Sequence, residues 1–255
     1  MGKTRYPTGA RPLLIEETAR RRRIESRFVA LLEGNGFAEV VLPIIDFAEP
    51  YAGVTGRESA RQSYRFTDRE GELVAIRSDF TPMVARALAP ALPESELPLR
   101  VFYRGDVIRC DATRLGANRE MFQIGAEIIG DASSEADIAM LRLAAAIASE
   151  FFENALVVYT DGGWQMADGK SADADSSPPS AVRHLPSLLE NDARFVYHEQ
   201  DEADPSSYYT GLRFWVYGDD RRKPIAQGGR YDSLYSRFGA DAPAIGFTFT
   251  IDDLD

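Results

Sequence analysis

Hydrophobic and polar residues alternate most regularly in residues 119–130, the second of two extended runs that a polar loop joins into a hairpin over residues 99–130. Successive side chains of a strand point to opposite faces, so this run predicts one apolar face that packs on a core. The apolar face consists of Phe122, Ile124, Ala126 and Ile128. The opposite face consists of Arg119, Met121, Gln123, Gly125 and Glu127.

The first fifth of the chain predicts a helix followed by a strand. Apolar residues recur at mostly helical spacing over residues 12–33, and Gly34 and Gly36 end this pattern. The β-branched run 37–51 that follows contains Pro43. Because proline cannot donate to a sheet ladder, we expect this strand at a sheet edge or at a boundary between subunits.

The segments on either side of the central hairpin alternate between strand and helix patterns. Residues 65–67 and 73–77 predict a second hairpin, and residues 76–89 change from strand to helix. After the central hairpin, the run from Ser134 to Asp137 fits the Ser-x-x-Asp capping pattern that opens a helix.

A strand over residues 157–160 precedes a segment of different composition. Residues 161–180 are rich in Gly, Ser, Asp and Pro and predict a linker, and residues 181–190 predict a short helix. In the last quarter, residues 206–220 and 244–251 alternate as strands do.

Two local expectations concern the last quarter of the chain. Strict alternation in residues 206–220 would place Tyr208 on the apolar face and Tyr209 on the other. The pair Gly228–Gly229 predicts a strand-to-helix turn where backbone approaches a ligand. Several antiparallel strands interrupted by helices predict an α+β fold.

Composition and length limit the classes of protein. The 255 residues, 44% of them hydrophobic, suffice for one large domain or two small ones. We expect a single core domain over residues 11–255, preceded by a flexible lead over residues 1–10. A net charge of −11 argues against a protein that binds a nucleic-acid backbone. No apolar run approaches the length of a membrane span and no secretory signal pattern is visible, so we expect a cytoplasmic protein.

Few residues are suited to metal chemistry. The single cysteine, Cys110, excludes an internal disulfide and a Cys-rich metal site. The two histidines, His184 and His198, lie in polar surroundings and are interpreted as surface residues. We therefore expect no metal and no cofactor.

The polar face of the central hairpin offers candidate chemistry. We expect Gln123 and Glu127 to lie side by side across Gly125, whose bare backbone permits close approach, and Arg109 at the end of the first run adds a cation. One interpretation is a solvated sheet face. The other is a site for a zwitterionic amino acid, whose ammonium needs an anion and whose carboxylate needs a cation.

A second candidate pair lies where residues 76–89 change from strand to helix. Asp79 and Thr81 stand at this junction, and Pro82 suits the first helical turn. One of the two polar residues is expected to cap the helix, which leaves the other available for a ligand.

Motifs in this order resemble those of the catalytic core of histidyl-tRNA synthetases. They are LPI, IRSDFT, YRGDVIR with REMFQIGAEIIG, YYTG, GGRYD and AIGF, in patches over residues 12–254. The resemblance implies a class II aminoacyl-tRNA synthetase-like fold, an antiparallel β-sheet flanked by helices. It also implies a dimer formed through the first helix and the Pro43 strand.

Members of that family bind histidine through an acidic residue, a threonine, an arginine, a Gln–Glu pair and two tyrosines. The resemblance implies the same role for the matching positions here, Asp79, Thr81, Arg109, Gln123, Glu127, Tyr208 and Tyr209.

Arginines that the family uses around the nucleotide are replaced in this chain. Asp253 stands where the family has the arginine that clamps the phosphates, and the matching positions of two further arginines hold Ala117 and Asp204. Two unit charges 4 Å apart interact by about 4 kcal/mol at an effective dielectric near 20. A change from attraction to repulsion therefore disfavours ATP at this degenerate nucleotide site.

A synthetase-like core with these losses and without an anticodon-binding domain resembles the regulatory subunits of ATP phosphoribosyltransferase. The resemblance implies a chain with no chemistry of its own, a homodimer within a hetero-oligomer that contains the short catalytic subunit, and no tRNA partner. It implies histidine as a feedback ligand, bound in the inherited pocket or between subunits. The alternatives are a short histidyl-tRNA synthetase-like enzyme and a stand-alone histidine sensor.

Overall fold

A large β-sheet organises the chain. The computed structural model describes residues 5–54, 63–110, 118–160, 185, 189, 191–198 and 208–254. Within these ranges the helices are α1 (Ile15–Gly34), α2 (Thr81–Leu88) and α3 (Ser134–Ser149). The strands are β1 (Ala38–Glu39), β2 (Ile45–Phe47), β3 (Arg65–Thr67), β4 (Leu73–Ile76), β5 (Leu99–Ile108), β6 (Glu120–Ile129), β7 (Leu156–Thr160), β8 (Phe195–Tyr197), β9 (Arg213–Tyr217), β10 (Pro224–Arg230) and β11 (Ala244–Thr250).

Eight strands form the large sheet in the order β1-β5-β6-β11-β10-β9-β7-β8, and a small sheet has the order β2-β4-β3. The six inner strands of the large sheet pair antiparallel, whereas β1 and β8 pair parallel with β5 and β7 at the two edges. This mixed sheet with flanking helices confirms the predicted α+β fold. The run that contains Pro43 supplies two edge strands, β1 and β2, as the proline predicts.

A hydrophobic core lies on each face of the large sheet. The larger core packs α1 and α3 against the predicted apolar face of β6, with Phe28 from α1 and Leu141 from α3 fully buried. The smaller core packs α2 against the opposite face through Val84, Tyr103 and Tyr231.

The polar face of β6 is therefore not solvated. Gln123 is 6% exposed and Glu127 is 0% exposed. The interpretation of this face as a solvated sheet surface is wrong, because side chains from β5 and from the end of β10 cover it. Alternation along one strand shows which residues share a face, but what covers that face depends on distant segments.

Two local predictions are also wrong. Gly228 and Gly229 lie inside β10 rather than in a turn, and a Cβ on Gly228 would lie 2.4 Å from the carbonyl oxygen of Gly246 on the next strand. Close approach of protein backbone, not a turn, requires glycine there. Helix α3 is capped by Ser133, whose hydroxyl accepts from the Ala136 amide at 3.3 Å, one residue earlier than predicted.

Several expectations fall partly or wholly outside the described residues. The linker over residues 161–180 is one of them. Of the predicted helix 181–190, the structure describes Leu185 and Leu189, which are helical and buried in the larger core. None of the helices in the described ranges combines the length and the apolar character that crossing a membrane requires.

Candidate functional site

The start of α2 brings a carboxylate, a threonine and two tyrosines together. Asp79 accepts the Thr81 amide through one carboxyl oxygen and the Tyr208 hydroxyl through the other, both at 3.3 Å. The Thr81 and Tyr103 hydroxyl oxygens lie 3.4 Å apart. Asp79 thus holds the first turn of α2 and also faces the pocket.

Glu127 is the most buried acidic group of this site. It lies on β6 opposite Val101 on β5 and Gly246 on β11. Neither carboxyl oxygen makes a hydrogen bond to the part of the chain that the structure describes, and the same holds for the hydroxyls of Tyr231 and Tyr235. Buried polar groups without partners are rare in folded proteins, so each of these atoms calls for an ordered water, an ion or a ligand as its partner.

Burial controls the ionisation of both carboxyl groups. It raises the pKa of Glu127 to about 8, against the opposing influence of nearby hydroxyls such as that of Thr81. Burial also raises the pKa of Asp79, and the positive charge of Arg109 opposes this rise. A cationic ligand placed between the two carboxyl groups would favour their charged forms.

Tyrosine rings occupy the space above the sheet glycines. A Cβ on Gly125 would lie 2.4 Å from the Tyr103 hydroxyl, and one on Gly246 would lie 2.6 Å from the Tyr231 hydroxyl. Tyr103 also stacks on Phe80, with ring centroids 4.4 Å apart. The bare backbone at Gly125 thus accommodates a tyrosine of the chain itself.

Sequence reasoning missed Tyr103 and Tyr231 as walls of the site. Both lie within motifs that carry the family resemblance, YRGDVIR and GGRYD, so their position was a usable signal. Hydrophobic patterning assigns such tyrosines to the core, and only the register of β5, β6 and β11 places their hydroxyls beside Glu127.

Arg109 and Gln123 lie at the edges of the cluster that contains Asp79 and Glu127. The Arg109 side chain donates to the Ser78 carbonyl at 3.0 Å, which fixes it on the Asp79 side. Gln123 lies four residues before Glu127 on the same face, about 13 Å away along the strand, with the Tyr103 hydroxyl over the intervening Gly125. The two polar residues are therefore not side by side.

Tyr208 and Tyr209 both pack against the smaller core, and their ring centroids lie 5.0 Å apart. The expectation that they occupy opposite faces is wrong, because β9 begins only at Arg213 and regular alternation does not extend back to them. This irregular segment allows both rings to line the pocket side of the sheet.

Two acidic residues in the short 3-10 turn after β11 form ion pairs with cations of the same chain. Asp253 pairs with Lys223 at 2.5 Å. Asp252 pairs with Arg21 at 2.6 Å and accepts the Phe122 amide at 2.9 Å. Because Lys223 offsets the charge of Asp253, this position would repel an anion less than an isolated aspartate would. Ala117 and Asp204 lie outside the described residues.

The described residues form a buried polar cluster whose carboxyl groups would suit an organic cation or zwitterion. Two carboxyl groups and several hydroxyls converge between the sheet and α2. Among the ranges that the structure describes, no group of three or more His, Cys, Asp or Glu side chains could hold a metal ion.

Comparison with known proteins agrees with this architecture. A family model described as histidyl-tRNA synthetase matches residues 9–158 and 180–254. The ATP phosphoribosyltransferase regulatory subunit of Carboxydothermus hydrogenoformans is 29% identical over 96% of this chain and 94% of the relative. The histidine–tRNA ligase of Methanocaldococcus jannaschii is 28% identical over 98% of this chain and 76% of the relative.

A solved structure shows the same fold. The crystal structure of an ATP phosphoribosyltransferase regulatory subunit/histidyl-tRNA synthetase from Bacillus halodurans superposes with a TM-score of 0.82 at 22% identity, over 98% of this chain and 82% of that one. The architecture is therefore the class II synthetase-like α+β fold predicted from the motifs. Because the family model matches most of its length, the chain belongs to the histidyl-tRNA synthetase family.

Proposed function

We propose that this chain is a regulatory subunit of ATP phosphoribosyltransferase that performs no chemistry itself. It binds the short catalytic subunit, is required for the activity of that subunit, and transmits feedback inhibition by histidine. The proposal rests on the contrast between two halves of the site. The first half, around Asp79 and Glu127, is where an amino acid would bind, and the second half, around Asp253, is where a nucleotide would bind. Glu127 is fully buried without a hydrogen-bond partner in the described chain, whereas Asp253 occupies the position of the phosphate clamp and pairs with Lys223.

Histidine fits the chemistry of the first half. Its ammonium and imidazole N–H groups would donate to the half-buried Asp79 and to Glu127, which is fully buried without a partner in the described chain. The aromatic rings of Tyr208, Tyr209 and Tyr231 surround these carboxyl groups and suit a flat heterocycle. Relatives that carry the regulatory-subunit name support the same role.

The second half of the site lacks what adenylation needs. Transfer of an adenylyl group depends on cations that bind the phosphates of ATP. Asp253 replaces one of the arginines of the family, and Ala117 and Asp204 replace two others. A pocket that binds the amino acid without activating it can act as a sensor, because ligand binding then changes only the balance between conformations.

A homodimer within the hetero-oligomer belongs to the proposal. One face of the small sheet is apolar, and on it Ile45, Phe47 and Phe66 are 49%, 46% and 42% exposed. Val41 and Ile44, in the segment that leads into β2, are 89% and 56% exposed. Clustered exposed apolar side chains of this kind mark interaction surfaces, and a second copy is the proposed occupant. A chain that sediments as a monomer would refute the dimer.

Reconstitution tests the proposed function. We expect the purified short catalytic subunit alone to form little phosphoribosyl-ATP and to gain activity in a saturable manner as the chain is added. Histidine should then lower that activity. An equal concentration of an unrelated acidic protein serves as the control. If the chain gives no more stimulation than this control, the proposal is wrong.

The alternative is a short histidyl-tRNA synthetase-like enzyme, and the similarity to histidine–tRNA ligases is the observation that favours it. This alternative predicts histidine-dependent exchange of pyrophosphate into ATP by the chain alone. The regulatory role predicts none. A stand-alone histidine sensor would bind histidine and fail in the reconstitution.

A further inference from the structure

Asp79 and Glu127 place two carboxyl groups close together in the candidate site. Asp79 is near enough for its charge to oppose the ionisation of Glu127. Tyr103 lies between the elements that carry them, because its hydroxyl oxygen is 3.4 Å from that of Thr81 at the start of α2 and would be 2.4 Å from a Cβ on Gly125 of β6. Two carboxyl groups that share a site disfavour each other's charged form. A cation between them, or a proton on one of them, relieves this repulsion.

Hydroxyl groups surround Glu127 in the part of the chain that the structure describes. Its two carboxyl oxygens have no hydrogen-bond partner there, so no lysine or arginine of that part donates to it. Arg109 acts on its neighbour Asp79, whose rise in pKa it opposes. Arg213 acts in the same way on Tyr209. The groups that face Glu127 are Tyr103 on β5, Asp79 before α2, Tyr209 before β9, Tyr231 and Tyr235 after β10, and the uncharged Gly246 on β11.

The proton of this acid pair belongs on Glu127. Asp79 already accepts the Thr81 amide and the Tyr208 hydroxyl, both at 3.3 Å, so its charge is supported without a ligand. Glu127 is 0% exposed and has no such support in the described chain. Burial without a counter-charge favours the neutral form of an acid. The pKa of Glu127 is accordingly about 8, so about three quarters of ligand-free chains hold this proton at pH 7.5.

We propose that binding of an amino acid to this site expels the proton of Glu127 to solvent, so that affinity for the ligand rises with pH. The inference rests on the proposed function, because it assumes that histidine binds between Asp79 and Glu127. In this step the carboxyl O–H bond breaks, its electron pair stays on the carboxylate oxygen, and the proton passes to water. The ammonium of the ligand then replaces the proton as the counter-charge.

A ligand cation is sufficient to drive this step. A positive charge within about 4–6 Å lowers the pKa of a carboxyl group by about 1 to 3. From a ligand-free pKa of about 8, Glu127 is then largely ionised at pH 7.5 in the complex. Feedback inhibition by histidine should therefore strengthen as the pH rises from 7 to 8.5.

Calorimetry of L-histidine binding in two buffers of different ionisation enthalpy counts the protons released. At pH 7.5 the imidazole of free histidine is mostly neutral, so it contributes little to the count. We expect the unaltered chain to release about 0.5 to 0.8 proton for each histidine bound, and Glu127→Gln to release less than about 0.1. Glu33→Gln, which changes an exposed glutamate, is the matched control and should release as much as the unaltered chain. Infrared difference spectra identify the source, because the C=O band of a protonated carboxyl group should disappear on binding to the unaltered chain and not in Glu127→Gln.

Each other outcome decides against the inference. Histidine binding without proton release, or with equal release from Glu127→Gln, would overturn it while the histidine pocket itself would stand. Failure of the unaltered chain to bind histidine would overturn both. If Glu127→Gln binds too weakly for calorimetry, the unaltered chain decides alone. Its affinity for histidine should be about four- to eightfold higher at pH 8.5 than at pH 7, and an affinity that does not change with pH would contradict the proposal.

Discussion

Glu127→Gln is expected to stabilise the ligand-free chain by about 3 to 5 kcal/mol at pH 8 and by little at pH 5. The pKa of Glu127 is about 8 in the folded chain, against an ordinary value of 4.5. Between these values the folded state holds a proton that the unfolded state has released. Stability therefore falls by about 1.4 kcal/mol for each unit that the pH rises through this window. Glutamine has no proton to release and removes this contribution.

Urea unfolding at pH 5 and pH 8 gives the free energy of unfolding of the unaltered chain and of the variant. The test compares how much that free energy changes with pH in each form. Other groups that titrate between pH 5 and 8 affect the unaltered chain and the variant alike, so they cancel. Glu33→Gln, which changes an exposed glutamate at the end of α1, serves as the control and should show the pH dependence of the unaltered chain. An identical pH dependence in Glu127→Gln would mean that Glu127 is not the buried acid inferred from the structure.

Arg230→Met is expected to destabilise the chain by about 3 to 5 kcal/mol, because it leaves a buried carboxylate without its partner. The Arg230 side chain is 7% exposed and that of Asp137 is 2% exposed. The guanidinium donates through Nε to Asp137 at 2.8 Å and through Nη1 to Asp232 and to the Asp131 carbonyl, both at 3.0 Å. This network ties β10 to α3 and fixes the backbone next to Tyr231.

The pH dependence of this loss provides an internal check. Burial raises the pKa of Asp137 to about 6, and the charge of Arg230 opposes the rise. Without Arg230 the pKa of Asp137 rises further, so its charged form costs more at pH 8. At pH 5 Asp137 is mostly protonated with or without Arg230. The loss of unfolding free energy is therefore larger at pH 8 than at pH 5. Urea unfolding should show under about 0.5 kcal/mol for the exposed control Arg222→Met. A loss in Arg230→Met no greater than in this control would contradict the network.

The strands and their apolar faces were predictable because the information is local. In β6 and β11, every second residue is apolar, and those residues do form the larger core. The cover over the other face was not predictable in this way. Tyr103 and Tyr231 are far apart along the chain, and only the pairing of β5, β6 and β11 brings both to Glu127.

The candidate site, too, was predictable only in part. Asp79 and Glu127, which were inferred from family motifs, lie on the same side of the sheet. They are close enough for the charge of Asp79 to raise the pKa of Glu127. The expected turn at Gly228–Gly229 is wrong because a glycine can also mark the close approach of another backbone inside a sheet, here that of Gly246 to Gly228.

Inhibition of the reconstituted transferase by histidine, compared between the unaltered chain and Glu127→Gln, shows whether a pocket inherited from a synthetase controls a catalytic partner. We expect both forms to stimulate the short catalytic subunit and the variant to need at least about tenfold more histidine for half-inhibition, since a charge-assisted hydrogen bond is lost. Equal sensitivity to histidine in the two forms would place the inhibitory site elsewhere and contradict the account.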